Sequence, residues 1–409
     1  MKTQVNNSHK SPLSRILRVL GYTLFLLLFL IGTVEIGFRV AVRAGLFGLD
    51  YGDVFSQELM NEGGFLKIGK SVNVVNGYGE KVQWITNSKG FRNDKEFDYD
   101  KPNGIIRILS IGDSFTAGYR VGQNETYSYL LENSLNEAQN SVRYEIMVAC
   151  VQNPLQGLEY LNKYGLKYKP DIVLLGITLG NDLSECFIHL HNDGQKKLVG
   201  NTVIQNENYN AERIKKEVLE EVLPEYSYQP ASELNDYLEK FVFPKLLNRF
   251  ANLNYSGESI FAIKGKVPPY IHDFTHGLGV FLTPQPETIR KLYKNMETIL
   301  KAYHELSIEQ GFNTQVILFP QRFQVNELDT KKTITDYHLN TQYFDWELPN
   351  RSIGEFCKQN NLDYMDPLDY FRKQTEVLYL PNGDMHLNSK GHKVISDFLF
   401  TNMLKATSN

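Results

Sequence analysis

Three short stretches of this 409-residue chain carry side chains that suit acyl transfer. The first is Ile111-Gly112-Asp113-Ser114-Phe115-Thr116-Ala117-Gly118, at the end of a β-branched run. Glycine at a strand's carboxyl end permits a tight turn, and it presents Ser114 at the sheet edge near the start of the next helix. Backbone N–H groups and the helix dipole there favour a developing anion. Alone, such a serine reads as a helix cap. It is not alone. Thr178-Leu179-Gly180-Asn181-Asp182 ends a second apolar run, and the Asn181 amide can donate to an oxyanion. Near the C-terminus, Pro381 to His392 places Asp384 two residues before His386, so the carboxylate can orient the imidazole and stabilise its cation. A nucleophile, an amide donor and an acid–base pair form the set that nucleophilic catalysis requires. Gly112, Asp113, Thr116, Gly180 and Asp182 read as turn-forming support for them.

On these residues the chain resembles the SGNH, or GDSL-type, hydrolases over residues 87–404. Gly112 to Thr116 is similar to the family's first block, which makes Ser114 the nucleophile. Gly180-Asn181-Asp182 is similar to the third block, with Asn181 an oxyanion donor. Asp384 and His386 fall in the fifth, where they complete a triad. Asn87-Ser88-Lys89-Gly90-Phe91-Arg92 resembles a feature of membrane-attached bacterial members. Two features depart from the pattern. The usual final spacing is DxxH, whereas Gly383 stands three residues before His386. The second block's glycine has no clear counterpart among Cys150, Asn153 and Gly157, which leaves Asn153 as the candidate second backbone donor. The resemblance implies a three-layer α/β/α, flavodoxin-like fold with a parallel sheet of order 2-1-3-4-5. Ser114 and Asn181 would then flank the crevice between strands 1 and 3. It implies no cofactor and no metal.

Other patterns weigh less. Gly64 to Ser71 matches a phosphate-loop spacing, but a strand and a turn follow it instead of a helix, and Phe65, Leu66 and Ile68 crowd it. His189 and His191 lack a third metal ligand at a telling distance. Asp363, Asp366 and Asp369 are alternative acids that read better as turn or solvated residues, and His392 reads as a helix-start residue.

The elements that must position these groups follow a strand–helix rhythm. Apolar runs at Ile105–Ile111, Tyr144–Ala149, Asp171–Ile177, Thr314–Phe319 and Leu362–Met365 predict buried parallel strands. Helical patterns cover Glu125–Glu137, Pro286–Gln310 and Val394–Leu404, with Gly311 a stop. Residues 45–104 read as a leading region of loops and short strands, among them Val72–Val75 and Val82–Ile85. Residues 105–404 read as the catalytic domain. It is interrupted at about 187–283 by an Asn- and Tyr-rich insertion that contains a charged helical piece, Ala211–Glu221.

Charge gives the chain a direction. The net charge of −4 is split, because Lys2, Lys10, Arg15 and Arg18 give residues 1–34 a charge of +4 and leave −8 beyond. Val19 to Phe38 is a 20-residue stretch with Glu35 its single charge, enough to cross a ~30 Å hydrocarbon layer. Residues 1–18 thus read as a cytoplasmic basic tail and 19–38 as an uncleaved signal anchor, with a cleaved signal the alternative. The remainder lies outside the membrane, periplasmic or at the cell surface. Mild acidity, with pI near 6.2, argues against a nucleic-acid partner. Cys150, Cys186 and Cys357 are too widely spaced for a zinc motif and read as buried thiols. The sequence therefore predicts a membrane-anchored serine esterase acting on acyl esters of a small molecule or an envelope polysaccharide. An O-acyltransferase and a non-catalytic glycan-binding protein are the alternatives.

Overall fold

The computed structural model describes residues 12–43, 59, 65–76, 78–138, 142–183, 185–186, 196–205, 278–285, 287–336, 339, 341–381 and 384–407. His189, His191, the Ala211–Glu221 piece and most of the insertion lie outside them, as does Gly64. The chain divides into two units, residues 1–49 with 231–263 and residues 50–230 with 264–409. The described part of the first is helix α1 (Pro12–Arg43), whose stretch Arg18–Gly37 is long and apolar enough to cross a membrane. The side chains of Leu20, Leu24, Phe25, Leu27 and Phe29 in this stretch are exposed. Thr23 Oγ1 donates back to the Val19 carbonyl at 3.0 Å, and Glu35 accepts from Arg39 Nε at 2.7 Å one turn on. The charge in the apolar stretch is thus paired within the helix.

The second unit begins with an antiparallel hairpin, β1 (Ser71–Val75) and β2 (Lys81–Ile85), so the phosphate-loop spacing is indeed followed by a strand. Then come β3 (Ile105–Gly112), α2 (Ser114–Ala117), α3 (Tyr127–Ala138), β4 (Arg143–Cys150), α4 (Pro154–Lys163) and β5 (Ile172–Thr178). A hairpin of β6 (Lys196–Val199) and β7 (Thr202–Gln205) lies within the expected insertion. It is tied down at Asn201, whose carbonyl accepts from Asn162 at 2.9 Å and whose amide donates to Glu309 at 3.0 Å. The chain continues through α5 (Glu287–Gln310), β8 (Asn313–Phe319), α6 (Leu348–Gln359), β9 (Asp363–Met365) and α7 (Ser389–Thr407).

Strands β4-β3-β5-β8-β9 form one parallel sheet, which in order of the core strands is 2-1-3-4-5. Its strands are apolar on both faces because both are covered. Leu109, Ile111, Met147, Ala149, Val173, Leu175, Val316 and Leu318 pack with α4, α5 and α6. The alternate residues Ile108, Ile146, Val148, Leu174, Ile317 and Phe319 pack with α3 and α7. Side chains alternate across a strand, so this division makes three layers.

The five strands lie where the apolar runs predict them. Helix α7 starts at Ser389, five residues earlier than the periodicity suggests, and takes in His392. Helices α4 and α6 carry no clear helical signature in the sequence.

The Asn87–Arg92 stretch is a clasp. Asn87 Oδ1 accepts from the N–H groups of Lys89 and Phe91, Gly90 takes φ 84°, and Arg92 N–H extends the β4 edge by donating to the Val148 carbonyl at 2.8 Å. The buried Arg92 guanidinium lies 3.8 Å from the Trp84 ring centroid, bonds Gln123, and donates to the carbonyls of Ile85 and Val121. Burial lowers its pKa to about 9, against the charge of Asp94. The clasp thereby joins the first hairpin to the loop that leaves the Ser114 segment.

Candidate active site

Strand β3 ends at Gly112 for a steric reason. A Cβ there would lie 2.2 Å from Thr116 Oγ1 and 3.0 Å from the Gly176 carbonyl oxygen. Close approach, rather than the tight turn expected from the sequence, requires this glycine. Thr116 is thus packed between β3 and β5. Asp113 caps α2, its Oδ1 accepting from Phe115 N–H at 2.9 Å. The helix is a single turn, so no long macrodipole stands behind Ser114, contrary to the expectation. The local N–H groups are what this segment offers an anion.

Ser114 Oγ lies 2.8 Å from His386 Nε2, across 272 residues of sequence. His386 Nδ1 lies 2.7 Å from Asp384 Oδ1, which also accepts the His386 backbone N–H at 3.0 Å. The two-residue spacing works because Asp384 folds back over its own turn. The acid's second oxygen faces Arg120 Nη1 at 3.5 Å, and its carbonyl accepts from Arg322 at 3.4 Å. Burial alone would raise the Asp384 carboxyl. The His386 hydrogen bonds and the Arg120 charge outweigh it and hold the group below the ordinary carboxylate range. The His386 ring packs between Phe115, at 5.2 Å, and Tyr119, at 4.6 Å, both from the serine segment.

On the β5 side, Asn181 Nδ2 donates to Asp113 Oδ2 at 3.4 Å and to Glu185 Oε1 at 3.3 Å. Asp182 Oδ2 accepts from the Thr178 N–H at 2.7 Å. Burial pushes Asp113 up and Asp182 well up, and it raises Glu185 to about 7. Gly180 makes room for Gln321, whose Oε1 would sit 2.9 Å from a Cβ.

Asn153 is the N-cap of α4, its Oδ1 accepting from Gln156 N–H at 3.1 Å. Its amide nitrogen is buried without a hydrogen-bond partner among the described residues, as is that of Gln321. Gly157 lies inside α4 rather than at the site, its open face filled by Tyr303. His392 is buried at the start of α7, where its Nδ1 accepts from Tyr127 N–H at 3.3 Å. Burial, with the charges of Arg92 and His386, lowers it to about 3. The alternative acids are engaged elsewhere: Asp363 with Asn313, Asp366 with Asn350 and the Leu368 N–H, and Asp369 with Arg372. The three cysteines are buried free thiols. Among the described residues, no group of three or more His, Cys, Asp or Glu side chains can hold a metal.

The structure therefore joins Ser114, His386 and Asp384 directly and sets Asn181 against the residue before the nucleophile. Tyr119, Arg120, Glu185 and Gln321 are neighbours that the sequence does not single out.

No family profile and no curated protein matches the sequence. Among solved structures, similarity extends to an acetyl xylan esterase, with 14% identity, 73% of this chain and 99% of that one covered, and a TM-score of 0.35. A psychrotrophic esterase from a Pseudoalteromonas species shares 13% identity over 74% and 99%, with a TM-score of 0.32. A two-domain esterase active on acetylated mannans shares 9% over 75% of this chain and half of its own length, with a TM-score of 0.37. Likeness of this degree leaves the assignment to the residues themselves. The 2-1-3-4-5 sheet, with serine after its first strand, the Gly-Asn-Asp turn after its third and the Asp/His loop before its last helix, is an SGNH/GDSL-type hydrolase fold.

Proposed function

We propose that this protein is a serine esterase that hydrolyses short-chain acyl esters. The continuous Ser114–His386–Asp384 relay, with its 2.8 and 2.7 Å contacts, carries the reading. Ser114 Oγ attacks the ester carbonyl and its proton passes to His386 Nε2, while Asp384 holds Nδ1–H and the cationic ring. The Ser114 N–H and the Asn181 amide, with Asn153 as a third donor, stabilise the tetrahedral oxyanion. The alkoxide leaves with the proton from His386. Water, deprotonated by the same imidazole, then releases the carboxylic acid.

Helix α1 supports a membrane anchor. Four basic residues at the start of its apolar stretch or before it (Lys2, Lys10, Arg15 and Arg18), against Arg39 and Arg43 after it, support a cytoplasmic N-terminus and a catalytic domain outside the membrane. Esters displayed there include O-acyl groups of envelope polysaccharides, and an acetylated glycan is the substrate class we assign.

The test is hydrolysis of a short-chain nitrophenyl ester by wild type, Ser114→Ala and His386→Ala. Each substitution should lower kcat/KM by about 10³-fold or more. Equal turnover in all three would sink the relay. Acyl transfer to a glycan hydroxyl in preference to water would make the protein a transferase on the same acyl-enzyme.

A further inference from the structure

The loop leaving α2 enters the left-handed backbone region twice, at Gly118 (φ 72°) and at Arg120 (φ 59°). Glycine does so freely, whereas an arginine is strained there. Neighbouring bonds hold it there. Tyr119 N–H donates to the Ser114 carbonyl at 3.0 Å, Val121 N–H to the Gly118 carbonyl at 3.1 Å, and Arg92 to the Val121 carbonyl at 3.1 Å. The strained backbone delivers a guanidinium to the relay. Arg120 Nη1 lies 3.5 Å from Asp384 Oδ2, the carboxylate oxygen that His386 leaves open. Its Cζ stands 5.0 Å from the Tyr119 ring centroid, and Tyr119 packs against His386.

We propose that Arg120 is a positioning residue for the relay, fixing the Asp384 carboxylate so that Oδ1 aims at His386 and bracing Tyr119 against the imidazole. The inference rests on the esterase reading above. The other charged groups around Asp384 do not substitute for it. His386 occupies Oδ1. Arg322 reaches only the Asp384 carbonyl, and its Nε is paired with Asp329 at 2.9 Å. Asp113 lies buried under Ser114, and the neutral His392 is buried against Tyr127. Of the two arginines, Arg120 is the one whose charge meets the carboxylate.

The experiment compares wild type with Arg120→Lys, Arg120→Gln and Arg120→Gly in the full chain. It reads kcat and KM on a nitrophenyl ester across pH, the rate of Ser114 labelling by a fluorophosphonate, and the melting temperature. Arg120→Gln should lose roughly tenfold or more in kcat with KM little changed. Its acid edge should move to higher pH, because losing the nearby cation favours proton uptake by the coupled Asp384–His386 pair. Arg120→Lys should restore most of the rate and the edge. Arg120→Gly suits the left-handed backbone, so it should melt no lower than wild type yet label and turn over as slowly as Arg120→Gln. Wild-type rate and edge in the Gln and Gly variants would overturn the inference, as would losses that follow melting temperature and resist lysine rescue. Those outcomes require an active wild type. A wild type that neither hydrolyses ester nor takes the probe overturns the esterase reading and this role with it.

Discussion

On the C-terminal side of Ser114, the polar atoms of the triad meet partners. His386 contacts Ser114 at one ring nitrogen and Asp384 at the other, and the acid's remaining oxygen faces Arg120. On the β5 side the contacts are long or missing. Asn181 reaches two carboxylates at 3.3 and 3.4 Å, while Asp182 Oδ1 and the amide nitrogens of Asn153 and Gln321 are buried without partners among the described residues. The acids differ in the same sense, Asp384 held low while Asp113, Asp182 and Glu185 are pushed up. One half is an assembled charge relay. The other holds spare donors among acids that are easier to keep neutral. That contrast suits acyl transfer, since the relay must work from the resting state whereas oxyanion donors gain an acceptor only as the tetrahedral anion forms. Acids that are easier to keep neutral also repel that anion less.

Breaking the assembled half should have the larger effect. Asp384→Asn keeps the size of the side chain and removes its charge, so His386 loses both its orientation and the stabilisation of its cation. We expect kcat/KM to fall by about 10³-fold or more, with the melting temperature changed by a few degrees at most. Initial rates on a nitrophenyl ester decide it. A loss below tenfold would mean that Asp384 is dispensable and the relay ends at His386.

Weakening the other half should cost less. Asn181→Ala removes one oxyanion donor and should lower kcat by about 10²-fold with KM nearly unchanged. If KM rises and kcat holds, Asn181 binds substrate in its ground state instead, and the contrast between the halves loses its catalytic meaning.

The two halves were not equally legible in the sequence. Ser114, Asp384 and His386 stand in short motifs, and the strands that position them are continuous apolar runs because both faces of the sheet are covered. Arg120 touches the triad only through a left-handed backbone and 264 residues of intervening chain, a juxtaposition with no local signal. Helices α4 and α6 were masked by their own packing. Each has a proline in its first turn, Pro154 or Pro349, and each carries a glycine, Gly157 or Gly354. A Cβ at those glycines would lie 2.5 Å from Tyr303 Oη and 2.9 Å from Tyr364. Close helix contacts thus replaced helix-favouring residues with ones that read as breaks. The partial legibility of the oxyanion side has a similar cause. Asn181 sits in a recognisable turn, but Glu185 and Gln321 matter through burial, which spacing does not reveal.

Glu185 offers the smallest and most specific test of the contrast. Burial raises its carboxyl from 4.5 to about 7 in the folded protein. Between those values the native state holds a proton that the unfolded chain has released, so wild-type stability must fall as pH rises through this window. Asp384 has the opposite sign, its contribution being present above the unfolded value of 3.8 and lost as pH falls through its lowered folded value. Glu185→Gln keeps an oxygen to accept from Asn181 Nδ2 and cannot ionise. It should match wild type near pH 4 and become more stable on the order of 3 kcal/mol above pH 7, read from urea unfolding at the two ends. Parallel stability curves for the two proteins would mean that Glu185 is charged at neutral pH. The Asn181 amide would then be held by full carboxylate charge and drawn away from the substrate, and the β5 side could not be the receptive half of the site.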